Sequence, residues 1–160
     1  MMNHFRNKNF WILMILGAVI YFGGNDIISL TNPDEVFYAC TAKEMIEQKS
    51  WAVPYLFGQP QFEKPILTYL LIKIGFMLGG ISAFTARFFP AVFALLGCLA
   101  VFFWTNSIFN DKKKAFFCSL ILMTSGMYIG LAKTVFTDMI FSDFVTLSMI
   151  FFYEGYRKGI

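Results

Sequence analysis

Residues 32–38 read NPDEVFY and residues 62–65 read FEKP. Asp34 and Glu35 are adjacent acids, and Glu63 with Lys64 sets a third acid beside a lysine further along the same loop. Asp138 follows Thr137, and Asp143 comes soon after it. Carboxylates can act as bases or orient a hydroxyl, and a lysine can hold an anion as a point charge. Such groups are unusual company for a chain this apolar, and the elements around them decide what they can do.

Each has an ordinary structural reading. Asn32 is a good N-cap, Pro33 a good first helical residue, and Glu35 at the third position completes a capping-box pattern. Asp34 then favours the helix dipole. FEKP reads as a surface ion pair in a loop, and Asp138 as the N-cap of the helix that follows it. Arg87 reads as an anchor snorkelling at a helix end. Asp143 falls inside the membrane boundary, where an unpaired acid is costly; it is expected either to pair with Lys133 or to line a wet cavity. His4 is a residue of the cytoplasmic tail.

The chain has 160 residues, 58% hydrophobic and 19% aromatic, with a mean hydropathy of +0.62. That composition indicates membrane-spanning segments. The net charge of +3 comes from short positive clusters, a pattern of membrane topology and not of a nucleic-acid surface. Cys40, Cys98 and Cys118 form no disulfide or zinc pattern, and Cys98 and Cys118 are expected as small buried hydrophobes. The run from Phe10 to Phe22 lacks an A-x-A-like site, so it reads as an uncleaved first membrane helix, with a signal peptide as the alternative.

Five apolar segments occur, and the positive clusters choose among them. The clusters are Arg6/Lys8, Lys112–Lys114 and Arg157/Lys158. If all five segments span, two clusters fall outside; if the segment at 65–81 does not span, all three fall inside. That segment also carries Lys73 near its middle, which would cost roughly 2.5–3.5 kcal/mol at a bilayer centre. The expected fold is an all-α polytopic membrane protein. It has four transmembrane helices at 10–30, 88–109, 115–132 and 139–156, with a cytoplasmic loop at 110–114 and outer loops at 31–87 and 133–138. The first outer loop carries two juxtamembrane helices, at 33–48 and 65–80. In the first, Tyr38, Ala39, Ala42, Met45 and Ile46 share an apolar face. In the second, Tyr69 and Lys73 share a stripe that could face water. Trp51 and Tyr55 suit an interfacial belt.

The ordered set of motifs resembles a known family. The stretch NPDEVFYACTAKEMIEQKSWAVPYLFGQPQFEKPILTYLL follows the first helix, with ARFFPAVFALLG and TVFTDMIFSDFVTL after it. Together they resemble the N-terminal part of a type C glycosyltransferase of the aminoarabinose transferase and protein O-mannosyltransferase superfamily, whose members include dolichyl-phosphate-mannose-protein mannosyltransferases. The resemblance runs through nearly the whole chain; it departs from the family in having Ile66 where a second proline usually follows K-P.

The resemblance implies a membrane enzyme that moves a sugar from a polyprenyl-phosphate carrier to an acceptor glycolipid or protein on the outer face of a bacterial plasma membrane. It implies Asp34 as the acid that activates the acceptor hydroxyl and Asp138 as a second catalytic acid. Lys64 would bind the carrier phosphate, Glu35 and Arg87 would bind substrate, and Glu63 would join in holding a divalent metal ion. Family members are several times longer, so the chain reads as an N-terminal fragment that is inactive alone. Two other classes compete with this reading: a small non-catalytic membrane protein or partner subunit, and a piece of a transporter. Outer-loop acids fit the transporter poorly, because transport sites lie near the midplane.

Overall fold

The computed structural model describes residues 8–159. His4 and Arg6 lie outside the described residues. The elements are α1 Lys8–Phe22, α2 Pro33–Glu47, β1 Tyr55–Leu56, β2 Gln59–Pro60, α3 Ile66–Gly79, α4 Ala83–Phe109, α5 Lys112–Thr124, α6 Gly126–Ala132 and α7 Thr137–Lys158.

Helix α4 is the post around which the rest packs, in contact with α1, α3, α5, α6 and α7. Small residues at Ala91, Ala94 and Cys98 are fully buried and let neighbouring backbones approach. One core joins α1 to α4–α7 through Leu13, Tyr21, Phe102, Met123 and Met139. A second joins α2, α3 and the first turn of α4 through Tyr38, Ala42, Met45, Tyr69, Ile72 and Ala86.

Among the described residues, α4 alone is apolar and long enough by length and composition to cross a membrane, and α5 with α6 makes a second candidate if the bent pair is one span. The apolar run beginning at Phe10 was expected to be helical to residue 30, but α1 ends at Phe22. Gly23 and Gly24 follow, Gly24 with φ +78°, a conformation that ends helices. The run at 115–132 is not one helix either. It bends by 66° between α5 and α6, at the helix-weakening sequence Thr124–Ser125–Gly126. Helix α4 starts at Ala83, earlier than the expected 88, because Ser82 and Thr85 form a reciprocal capping box.

The two loop helices lie close to where the sequence places them, at 33–47 and 66–79. Their faces differ from expectation. Tyr69 and Lys73 are buried against α2 and do not face water. The Lys73 ammonium donates to the carbonyls of Met45 (3.2 Å) and Ser50 (2.8 Å) and sits 4.0 Å from the centre of the Trp51 ring. Burial holds it below the ordinary lysine range. Lys73 thus ties α3 to the C-terminal end of α2. Lys73→Met should cost roughly 1–3 kcal/mol by orphaning buried carbonyls, read as a lowered denaturation midpoint in detergent. Beyond α2, a tight hairpin pairs Tyr55 with Pro60 and Leu56 with Gln59. Phe57 and Gly58 turn it with positive φ, and the Glu44 carboxylate accepts both of their backbone N–H groups, at 2.7 and 2.9 Å.

The ends of the bundle are chemically distinct. At one end Asn9, next to Lys8, donates to the Lys112 carbonyl (3.4 Å), and Arg157 reaches Ser107 at the end of α4. The described positive clusters therefore gather at a single end. The loop with α2, the hairpin and α3 covers the other.

Candidate functional site

The far end of the bundle is organised by one buried ion pair. Arg87 Nε and Nη2 donate to the two Glu35 carboxylate oxygens at 3.0 and 2.9 Å, a bidentate fork. Arg87 Nη1 also donates to the carbonyls of Asn25 (3.0 Å) and Ile28 (2.7 Å), and Nη2 to Ser29 (3.4 Å). These are carbonyls left free where α1 stops. Glu35 Oε1 accepts in addition from the Val135 backbone N–H at 3.0 Å. One carboxylate and one guanidinium thus link the end of α1, the start of α2, the second turn of α4 and the segment before α7.

This arrangement replaces two expectations. Glu35 does not close a capping box, since its side chain points inward to Arg87; Asn32 Oδ1 caps the helix alone by accepting the Asp34 N–H at 3.0 Å. Arg87 does not snorkel, and is 6% exposed. Neither group stands open on the loop surface, as substrate binding by exposed side chains would require. Both instead line the wall of a cavity of about 360 Å³, together with Asn32, Lys133 and Thr134.

Three hydroxyls form a second junction. Tyr38 Oη lies 2.8 Å from Thr137 Oγ1, and Thr68 Oγ1 donates to Thr137 Oγ1 at 3.4 Å. Tyr38 belongs to α2, Thr68 to the first turn of α3, and Thr137 begins α7. The candidate residues sit next to these hydroxyls in sequence. Asp34 is one helical turn before Tyr38, Lys64 precedes Thr68 by four positions, and Asp138 follows Thr137 directly. Asp34, Lys64 and Asp138 are all exposed. The structure therefore brings the elements bearing Asp34, Asp138 and Lys64 to one end of the bundle. Asp138 is not the N-cap of α7; Phe136 holds that position and Asp138 lies in the first turn, where its charge suits the helix dipole.

Sequence reasoning missed this hydroxyl junction. Tyr38 was assigned to an apolar face, Thr68 carried no motif, and Thr137 was read only as the neighbour of Asp138 in the T-D pair. Tyr69 also borders it: its ring lies 5.4 Å from that of Tyr38, its buried hydroxyl has no partner, and burial pushes its pKa up to about 12.

Glu63 is exposed, and its backbone N–H donates to Gln61 Oε1. Among the described residues no three His, Cys, Asp or Glu side chains cluster so as to hold a metal ion. Glu63 therefore stands outside any such cluster among the described residues.

Two other expectations met the structure inside the bundle. Asp143 is buried and does not pair with Lys133, which donates instead to the Gly23 carbonyl at the end of α1. Its Oδ1 lies 3.4 Å from the Tyr128 hydroxyl, and it lines a cavity, the second of the two settings expected for it. Cys98 is buried as expected, but Cys118 is exposed, because it lies on the outward side of α5.

The chain is 33% identical over 145 residues to undecaprenyl phosphate-alpha-4-amino-4-deoxy-L-arabinose arabinosyl transferase 2 of Pseudomonas fluorescens, covering 88% of this chain and 24% of that protein. It is 30% identical over 149 residues to the corresponding transferase of Aeromonas hydrophila, covering 93% and 27%. The crystal structure of ArnT from Cupriavidus metallidurans in the apo state superimposes with a TM-score of 0.82 at 25% identity, over 88% of this chain and 26% of that one. ArnT bound to undecaprenyl phosphate gives the same TM-score at 24% identity. The chain thus spans about a quarter of the length of these relatives. The model of the dolichyl-phosphate-mannose-protein mannosyltransferase family matches residues 9–159, nearly everything the structure describes, and the chain belongs to that family.

Proposed function

We propose that this chain forms the N-terminal, loop-bearing part of a membrane glycosyltransferase that moves a sugar from a polyprenyl phosphate to an acceptor on the outer face of a bacterial plasma membrane. The observation that carries the reading is the meeting of α2, α3 and α7 at the Tyr38–Thr137–Thr68 hydroxyls, with Asp34, Lys64 and Asp138 close to them in sequence. The names of the relatives supply the donor class.

In this reading Asp34 takes the proton of the acceptor hydroxyl as its oxygen bonds to the anomeric carbon. The bond from that carbon to the carrier phosphate breaks, and the phosphate leaves with the electron pair. The Lys64 ammonium, a fixed point charge, stabilises it. A single displacement of this kind inverts the anomeric centre. Asp138 orients the acceptor from the opposite element. Glu35 and Arg87 act by position: they hold the start of α2, and with it Asp34, against α4 and form a wall of the cavity.

Function is tested by exchange. The matching region of the Pseudomonas fluorescens transferase is replaced by this chain and sugar transfer from the lipid carrier is measured. Transfer is expected; a folded, membrane-inserted chimera without transfer would overturn the reading. A non-catalytic membrane protein would give that second result.

The membrane arrangement has its own test. We read α1, α4, the bent α5–α6 pair and α7 as four spans, with the N-terminus cytoplasmic. A cysteine placed at Lys113 is expected to resist an impermeant thiol reagent added from outside, while one at Gln59 labels. Outside labelling at residue 113 would reverse the orientation.

A further inference from the structure

The carboxylate of Asp143 has no place in the transfer chemistry. It sits on α7 with 4% exposure, pressed against α4 where residue 97 is glycine. A Cβ at Gly97 would collide with Asp143 Oδ1 and the Tyr128 hydroxyl, so the close approach depends on glycine.

Its hydrogen bonding is incomplete. The Tyr128 hydroxyl has one proton, and the Ala94 carbonyl competes for it at 3.0 Å against 3.4 Å to Asp143 Oδ1. Asp143 Oδ2 is buried with no partner at all. The nearest cation in sequence, Lys133, is engaged at the end of α1. Beside the carboxylate lies a cavity of about 470 Å³ whose polar lining is Ser125, Tyr128, Ser142, Asp143 and Thr146. Ser125 is the point at which α5 and α6 part, so the cavity occupies the notch that the bend opens. The rest of its rim is apolar, with Val101, Leu122, Met127 and Leu131.

Lipid tails can cover those apolar side chains but cannot donate to a carboxylate, and an unpaired acid inside a bilayer is costly. An occupant apolar on its surface and positive at one point meets both demands. A second copy of this chain is poorly suited, because its described basic residues lie at the bundle ends or are engaged within the loop.

We propose that Asp143 and the α4–α6–α7 notch around it form an intramembrane docking site for a membrane helix that carries an arginine or lysine at the depth of Asp143. The cation pairs with Oδ2, Ser125 and Thr146 accept its remaining hydrogens, and the apolar rim packs on the incoming helix. The inference rests on the membrane placement of α4–α7 and is independent of the transfer reaction.

The test uses the whole chain in phosphatidylcholine vesicles and synthetic leucine-rich spanning peptides of about 20 apolar residues. Carbonate extraction comes first, so that failed insertion is told apart from failed docking. Energy transfer between labelled protein and peptide is then measured for peptides with one central arginine, one central glutamine, or leucine throughout. The arginine peptide is expected to bind at least tenfold more tightly than the leucine peptide. Moving the arginine by seven residues, roughly 10 Å along the helix, should remove the preference, and this comparison needs no altered protein. Asp143→Asn should remove it as well. Equal binding of all three peptides, equal binding of the glutamine and arginine peptides, or insensitivity to the arginine's depth would each overturn the proposal. So would energy transfer between copies of the protein that Asp143→Asn abolishes while the arginine peptide stays unbound.

Discussion

Arg87→Ala should destabilise the protein by about 3–5 kcal/mol, the usual consequence of stranding one member of a buried ion pair. The loss is larger than the pair alone would suggest, because the guanidinium also satisfies the carbonyls of Asn25, Ile28 and Ser29. Those carbonyls have no helix to enter once α1 stops at Phe22. Arg87→Lys should rescue little. A lysine offers a point charge in place of a planar fork and cannot meet both Glu35 oxygens and the carbonyls at once. Replacing both partners, Glu35→Leu with Arg87→Met, should recover part of the stability by removing the uncompensated charge, yet still leave the loop carbonyls and the Val135 N–H unpaired. The measurement is a denaturation midpoint in detergent, with limited proteolysis of residues 23–35 as the local readout. Near-normal stability of Arg87→Ala would mean that the loop is held chiefly by its apolar core.

That pair also marks where sequence reading stops. Asn32, Pro33 and Pro65 are local signals, so the two loop helices could be placed to within a residue or two. Glu35 carries the same local signal as a capping acid, but its true partner lies 52 residues away. Nothing in a short window tells a cap from a long-range ion pair. The hydroxyl junction was invisible for the same reason: Tyr38 and Thr137 are 99 residues apart. The positive clusters behaved differently, because the bilayer imposes one global rule on them. Asn9, next to Lys8 in sequence, donates to the Lys112 carbonyl, and Arg157 reaches the end of α4, so the described clusters gather at one end of the bundle. Apolar runs proved weaker guides. The run beginning at Phe10 contains Gly23–Gly24 and the one at 115–132 contains Ser125–Gly126, and in both the backbone broke at the glycine-bearing step. Lys73 misled by the opposite route. A helical wheel puts it beside Tyr69, but the carbonyls that end α2 made the buried side its better solvent.

In the exchanged transferase, Asp34→Asn should reduce transfer by roughly 10²–10⁴-fold, the range over which a positioned base contributes. Asparagine keeps the size of the side chain and the helix start, where Asn32 already accepts the residue-34 N–H. Folding and insertion should therefore be unchanged, and kcat should fall while donor affinity holds. Lys64→Ala should show the complementary pattern. It removes the cation at the leaving phosphate and should weaken donor use, most visibly as a raised KM for the lipid-linked sugar. The isolated chain provides a further contrast. Holding donor and acceptor in contact supplies roughly 7–11 kcal/mol of such a barrier, and a chain about a quarter of the length of its relatives offers one wall for that purpose. No measurable transfer is expected from residues 1–160 alone. Turnover by the isolated chain would mean that α2, α3 and α7 suffice to hold both substrates. Near-normal transfer by the Asp34→Asn chimera would return Asp34 to a helix-start residue and move the base to Asp138, the other exposed acid beside the hydroxyl junction.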